Sequence, residues 1–87
     1  MQYELVIKPS AEKALDRFPK AVRQRLVVAM RELRNEARPL GAVKLQGEED
    51  TYRLRVGNYR IVYEIHDDVL LILVLRVAHR KDAYRGR

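Results

Sequence analysis

The chain reads as an α+β domain, two helices packed on one face of a small, mostly antiparallel sheet in the order β-α-α-β-β-β. Three observations carry that reading. Apolar residues alternate at Tyr3, Leu5 and Ile7 and again through residues 52–63, the period of strands with one buried face. Between these segments, apolar positions recur twice at helical spacing, with Pro19 separating the two runs. A nearly continuous apolar stretch at 69–77 has the composition of a central strand covered on both faces.

Taken in order, the first strand stops at Pro9-Ser10, where Ser10 suits an N-cap and Glu12 favours the first helical turn. Ala11, Ala14, Leu15 and Phe18 form the apolar stripe of the first helix. Pro19 ends it and can open the next. Val22, Leu26, Ala29, Met30, Leu33 and Ala37 line a longer second helix whose other face is Arg23, Arg25, Arg31, Glu32 and Arg34. Arg38-Pro39 and Gly41 are its expected stop. Residues 40–51 read as a connection with a loop at 47–50. His66-Asp67-Asp68 reads as a turn before the last strand, and the final ten residues are basic.

With 87 residues there is room for one core, so a single domain over 1–87 is expected. A hydrophobic share of 47% argues against disorder. Eighteen Lys and Arg against twelve Asp and Glu give a net charge of +6, which points to polyanions or an acidic protein as partners. The absence of cysteine removes disulfides, thiolate nucleophiles and cysteine metal sites. The opening M-Q-Y-E-L-V-I-K does not read as a signal peptide, and the apolar run at 69–75 is too short to cross a bilayer. A soluble cytoplasmic protein with no membrane partner is the expectation.

The most informative segment is Y-R-L-R-V-G-N-Y-R-I-V-Y at 52–63, two alternating strands joined at Gly57-Asn58. A two-residue turn there pairs Val56 with Tyr59 and sets Arg55 directly opposite Arg60, with Arg53 two residues along the same face. Like charges in that arrangement destabilise a sheet unless an anion or acidic partner occupies the site. The tail adds Arg76, His79, Arg80, Lys81, Tyr84, Arg85 and Arg87. A two-residue turn at Asp67-Asp68 would pair Arg76 with Tyr59 and turn it away from Arg60, which suits a salt bridge better than catalysis.

Other chemistries are poorly supported. Ser10 is the only serine, Asp67-Asp68 suits a turn better than a metal site, and the glycines are scattered. Neither metal nor cofactor is expected. The cations, His79 and Tyr84 could bind a polyanion or cleave a phosphodiester. RNA suits cleavage because its own 2′-hydroxyl can be the nucleophile.

K-L-Q-G at 44–47, the 52–63 segment, L-R-V-A-H-R-K-D-A-Y at 75–84 and the opening I-K-P-S-A-E-K-A-L together resemble the RelE branch of the RelE/ParE toxin superfamily. The resemblance implies the same sheet with a helical hairpin. It also implies a toxin of a type II toxin–antitoxin system that enters the ribosomal A site and cleaves mRNA by 2′-hydroxyl attack. Its implied partners are an acidic RelB-like antitoxin, the ribosome and mRNA, with operator DNA reached only through the antitoxin. By the same resemblance Arg60 contacts the scissile phosphate, Arg80 stabilises the transition state or protonates the leaving group, and Tyr84 stacks on the mRNA base. Arg53 and Arg55 stand where the best-studied branch has lysines, one of them a proposed general base. Arginine is a poor proton acceptor, so the base here would be His79 or would be absent, leaving slow cleavage or a pure A-site block. Lys44, Lys81 and Arg85 are further candidates for RNA contact. Two alternatives follow from the same fold: a ParE-like, non-enzymatic gyrase inhibitor, and a decayed toxin that only binds its antitoxin.

Overall fold

The computed structural model describes residues 2–81. Its elements are β1 (Glu4–Ile7), α1 (Pro9–Asp16), α2 (Lys20–Glu32), β2 (Ala42–Lys44), β3 (Thr51–Val56), β4 (Tyr59–His66) and β5 (Leu71–His79). The strands form one sheet in the order β1-β5-β4-β3-β2, antiparallel except for the parallel β1–β5 pair.

α1 begins two residues earlier than a serine cap at Ser10 would place it. Lys8 is the cap residue, Pro9 occupies the first turn, and Lys8 O accepts from the N–H groups of Ala11 and Glu12 at 2.9 and 3.0 Å. Proline at this position needs no N–H partner and arrives with helical φ, so Ser10 is drawn inside the helix. Pro19 caps α2 and is not its first residue. α2 also stops short of Arg38. From Leu33 the bonds tighten to an i→i+3 pattern, Arg34 to Arg31 and Asn35 to Glu32. Two carbonyls of this turn are engaged by other elements: Tyr3 N–H donates to Arg34 O at 3.0 Å, and the Tyr63 hydroxyl to Ala37 O at 2.8 Å. Ala37 is therefore a core residue that lies outside the helix.

β2 is a strand where a plain connection was expected. Its three residues pair with Leu54, Arg53 and Tyr52 of β3, too short a run to show a period in the sequence.

Both helices cover one face. Leu15, Leu26, Met30 and Leu33 meet Leu54, Ile61, Tyr63, Ile65, Ile72, Val74 and Val77 in a single core. Each fully buried aliphatic side chain there contributes about 1.5–3 kcal/mol. The opposite face is not covered by either helix. On it Leu71, Leu73 and Leu75 are only half-buried, so β5 is not sealed on both sides by the described residues.

Candidate RNA-binding face

The hairpin forms as its sequence predicts. Gly57 has φ +59°, Asn58 is not left-handed, and glycine leading a two-residue loop suits the twist of the flanking strands. Val56 pairs with Tyr59 and Arg55 with Arg60. Leu54 and Ile61 point into the core, so the alternation sends Arg53, Arg55 and Arg60 to the open face.

The β4–β5 turn departs from expectation, and the departure moves Arg76. Asp67–Val69 forms a 3-10 turn that closes through Leu70 at φ +52°. That conformation costs a non-glycine residue about 1–2 kcal/mol. Here Leu70 O accepts from Glu4 N–H at 2.8 Å and so docks β1. The pairing consequently opens as His66 with Leu71. A register shift between Val62 and Tyr63 then sets Val62 opposite Arg76, and Tyr59 opposite His79. Arg76 thus shares the face of Arg60 and does not pair with Tyr59.

The open face at this end is a grid of three strands by two rows. One row is Arg55, Arg60 and Ala78; the other is Arg53, Val62 and Arg76. Neighbours within a row are about 5 Å apart, and the rows are separated by roughly 7 Å. Arg53, Arg60 and Arg76 are half-buried and Arg55 is exposed. Arg55 Nε donates to Gly57 O at 3.4 Å, which folds the side chain toward the turn. On the helix side, Arg25 lies against Gly57, its guanidinium about 3.1 Å from where a β-carbon would stand. Arg80 N–H donates to Asn58 O at 2.6 Å, bringing that residue beside the same turn. Lys81 follows and is exposed.

His79 does not join this face. It pairs with Tyr59 and packs edge-on against that ring, centroids 5.0 Å apart at 81°. Tyr59 in turn meets Phe18 at 5.0 Å, so His79 stands on the helix side with the sheet between it and Arg60. Its Nδ1 accepts from Lys81 N–H at 3.2 Å. Lys44 likewise lies across the sheet, at the edge opposite Tyr52. Tyr84 and Arg85 lie outside the described residues. Arg76 is the member that counting residues from the turn could not find, because every residue from 69 to 75 is apolar and hides the shift.

The far end of the sheet arranges charge differently. Arg38 Nη2 reaches Asp67 Oδ2 at 2.8 Å, and Arg38 Nε donates to the Tyr52 hydroxyl at 3.1 Å. Tyr3 donates its hydroxyl to Asp67 Oδ1 at 2.5 Å. Arg38 and then Tyr3 hold the Asp67 carboxyl below its ordinary value, and Asp67 raises the Tyr3 hydroxyl. Burial pushes the Tyr63 hydroxyl up to about 12. On the open face, Glu64 accepts from His66 Nε2 at 2.8 Å and raises that imidazole. Among the described residues no group of three His, Cys, Asp or Glu could hold a metal ion, and no helix is long and apolar enough to cross a membrane.

A small sheet with one helical hairpin and an arginine-rich open face defines a class of compact α+β proteins. Within that class the comparisons are specific. Residues 5–84 match the family model described as ParE toxin of type II toxin–antitoxin system. The chain is similar to toxin RelE3 of Methanocaldococcus jannaschii, 37% identical over 76 residues, 83% of this chain and 84% of that one. It is 30% identical to toxin RelG of Mycobacterium tuberculosis over 86 residues, covering 98% and 99% of the two chains. The fold superposes on the toxin of the archaeal RelE–RelB complex from Pyrococcus horikoshii with a TM-score of 0.82, 32% identity and 92% and 97% coverage. A RelBE2 toxin–antitoxin complex from Mycobacterium tuberculosis matches with a TM-score of 0.82, 27% identity and 92% and 93% coverage. The chain belongs to the RelE branch of the RelE/ParE superfamily and is a toxin of the type II toxin–antitoxin kind.

Proposed function

We propose that this toxin is an endoribonuclease that cuts mRNA in the ribosomal A site and thereby stops translation. The observation that carries the reading is the direct pairing of Arg55 with Arg60 inside a face of four arginines. Like charges held opposite each other cost the fold stability, and an RNA phosphate placed between them reverses the sign of that term. Arg60, half-buried at the centre, binds the scissile phosphate and stabilises the charge that builds as the RNA 2′-hydroxyl attacks. Arg80, whose backbone is bonded to the hairpin turn, is assigned to the leaving oxygen by the family resemblance. Tyr84 is assigned to the mRNA base by the family resemblance.

The identity of the proton acceptor changes with the geometry. His79 is across the sheet from Arg60, so it positions Tyr59 and the start of the tail, and no base is assigned to it. Cleavage then rests on charge stabilisation and orientation of the substrate, with the 2′-hydroxyl proton passing to solvent water and the departing 5′-oxygen taking one up from solvent. The partner that silences the toxin is an acidic RelB-like antitoxin, by analogy with the complexes that the fold resembles.

Primer extension on a defined mRNA in a purified translation system tests the reading. Cuts confined to A-site codons of occupied ribosomes, and absent with Arg60→Ala, are expected. Active ribosomes with folded toxin and no cuts would reject it, and a gyrase supercoiling assay would then examine the non-enzymatic alternative that the ParE family description raises.

A further inference from the structure

β5 carries an arginine whose orientation an uninterrupted strand could not give. Tyr63 pairs with Val74 but Val62 pairs with Arg76, so Leu75 is an extra residue on β5. Continued in the register of residues 71–74, the strand would set Arg76 opposite Ile61, inside the core. The bulge turns Arg76 to the open face and delivers Val77, 3% exposed, to Ile61 instead. Bulges commonly re-aim side chains in this way beside functional sites.

We infer that Arg53, Val62 and Arg76 form a second RNA subsite, which takes the phosphate next to the one held at Arg60. The inference rests on the nuclease reading for its substrate but on the sheet register for its geometry. The row of Arg53 and Arg76 lies one side-chain repeat from the row of Arg55 and Arg60, roughly 7 Å, on the scale of the step between successive phosphates of an extended strand. Arg53 and Arg76 are two strand spacings apart, roughly 10 Å, close enough for both long side chains to grip one phosphate from opposite sides. Val62, half-buried between them, gives an apolar floor on which a sugar or base edge can rest. No carboxylate occupies any of the six grid positions. The next open-face residue along β4 is Glu64, held by His66 at 2.8 Å, and its charge ends the cationic track after two rows. The footprint on the sheet is therefore two phosphates long, and Arg76 is a binding residue for the second.

The test is equilibrium binding of a labelled 2′-O-methyl oligouridylate, which offers no 2′-hydroxyl to attack, over a series of potassium chloride concentrations. Each phosphate contact on a single strand contributes about 0.7 to the slope of log K against log salt. Arg76→Gln is expected to bind several-fold more weakly with a slope lower by about 0.7, whereas Arg76→Lys keeps the slope. Val62→Glu, with a carboxylate between the two arginines, is expected to lower the slope at least as much. Arg31→Gln on α2 is expected to leave it unchanged. An unchanged slope for folded Arg76→Gln overturns the subsite, as does a wild type without salt-dependent binding. Should Arg76→Gln lose its far-UV signature, Val62→Glu decides: an unchanged slope there also overturns it. A wild type that binds with these slopes but never cuts on ribosomes rejects the nuclease reading and leaves the subsite standing.

Discussion

At the Asp67 end of the sheet, Arg38 is engaged by a carboxylate and a tyrosine hydroxyl, and Asp67 is shared with Tyr3. At the Gly57 end, Arg55 faces Arg60 directly, with Arg53 and Arg76 in the adjoining row. The first end joins four chain segments that are remote in sequence: the residue before β1, the loop after α2, the start of β3 and the β4–β5 turn. Its charges consolidate the fold. The second end holds like charges that the strand register sets directly opposite each other, and such pairs oppose folding. The contrast separates charges that neighbouring side chains satisfy from like charges set face to face, a division that composition and net charge cannot make.

The sharpest way to test this contrast is Arg60→Ala. A-site cutting should fall by about 10²-fold or more, the scale for removing one preorganised charge contact from a transition state. The melting temperature should hold or rise, because the like-charge partner of Arg55 is gone. A melting temperature that drops together with activity would show Arg60 to be structural. Next in size is Tyr63→Phe, which removes the buried hydroxyl from Ala37 O. Urea unfolding should register a loss of about 1–2 kcal/mol, while cutting per folded molecule stays at wild-type level.

Smaller again is Arg55→Gln. Relief of the opposed charges should stabilise the chain by about 0.2–1 kcal/mol in the same urea titration, as RNA binding weakens. The smallest effect is a pH dependence at the far end. Glu64 raises the His66 imidazole above its ordinary 6.5, so the stabilisation from that pair is complete below 6.5 and fades as pH rises through the folded value. The sign is reversed at Asp67, whose lowered carboxyl contributes above its ordinary 3.8 and loses that contribution as the medium becomes more acidic. Melting temperatures from pH about 5.5 to 8.5 should decline slightly for wild type, and His66→Gln should flatten that decline.

Much of this division was readable before any coordinates. Gly57-Asn58 between alternating strands determined the hairpin, and the hairpin determined the opposition of Arg55 and Arg60. The apolar spacing through Leu26, Met30 and Leu33 likewise gave the core face of α2. The errors share a physical origin. Leu33 carries a helical stripe onward, but α2 yields there to tertiary bonds from Tyr3 and Tyr63 that no local pattern announces. β2 exists because β3 offers it an edge. His79 and Arg76 exchanged faces relative to expectation because of the bulge at Leu75; the longer turn at Asp67–Val69 slides the pairing by two residues and leaves the faces unchanged. In a strand of uniform side chains, the side on which a residue falls is a property of the pairing and leaves no mark on composition.

That extra residue has a genetic consequence. Upstream of Leu75, packing alone filters substitutions, since one apolar side chain replaces another at modest cost. Downstream, the strand runs in the other phase, and its phase is held by a single codon. Deleting that codon would leave every other side chain intact yet drive Arg76 toward Ile61 and turn Val77 outward, burying a charge at a cost of several kcal/mol. A three-nucleotide deletion would thus reverse the faces of residues 76–79 while residues 71–74 keep theirs.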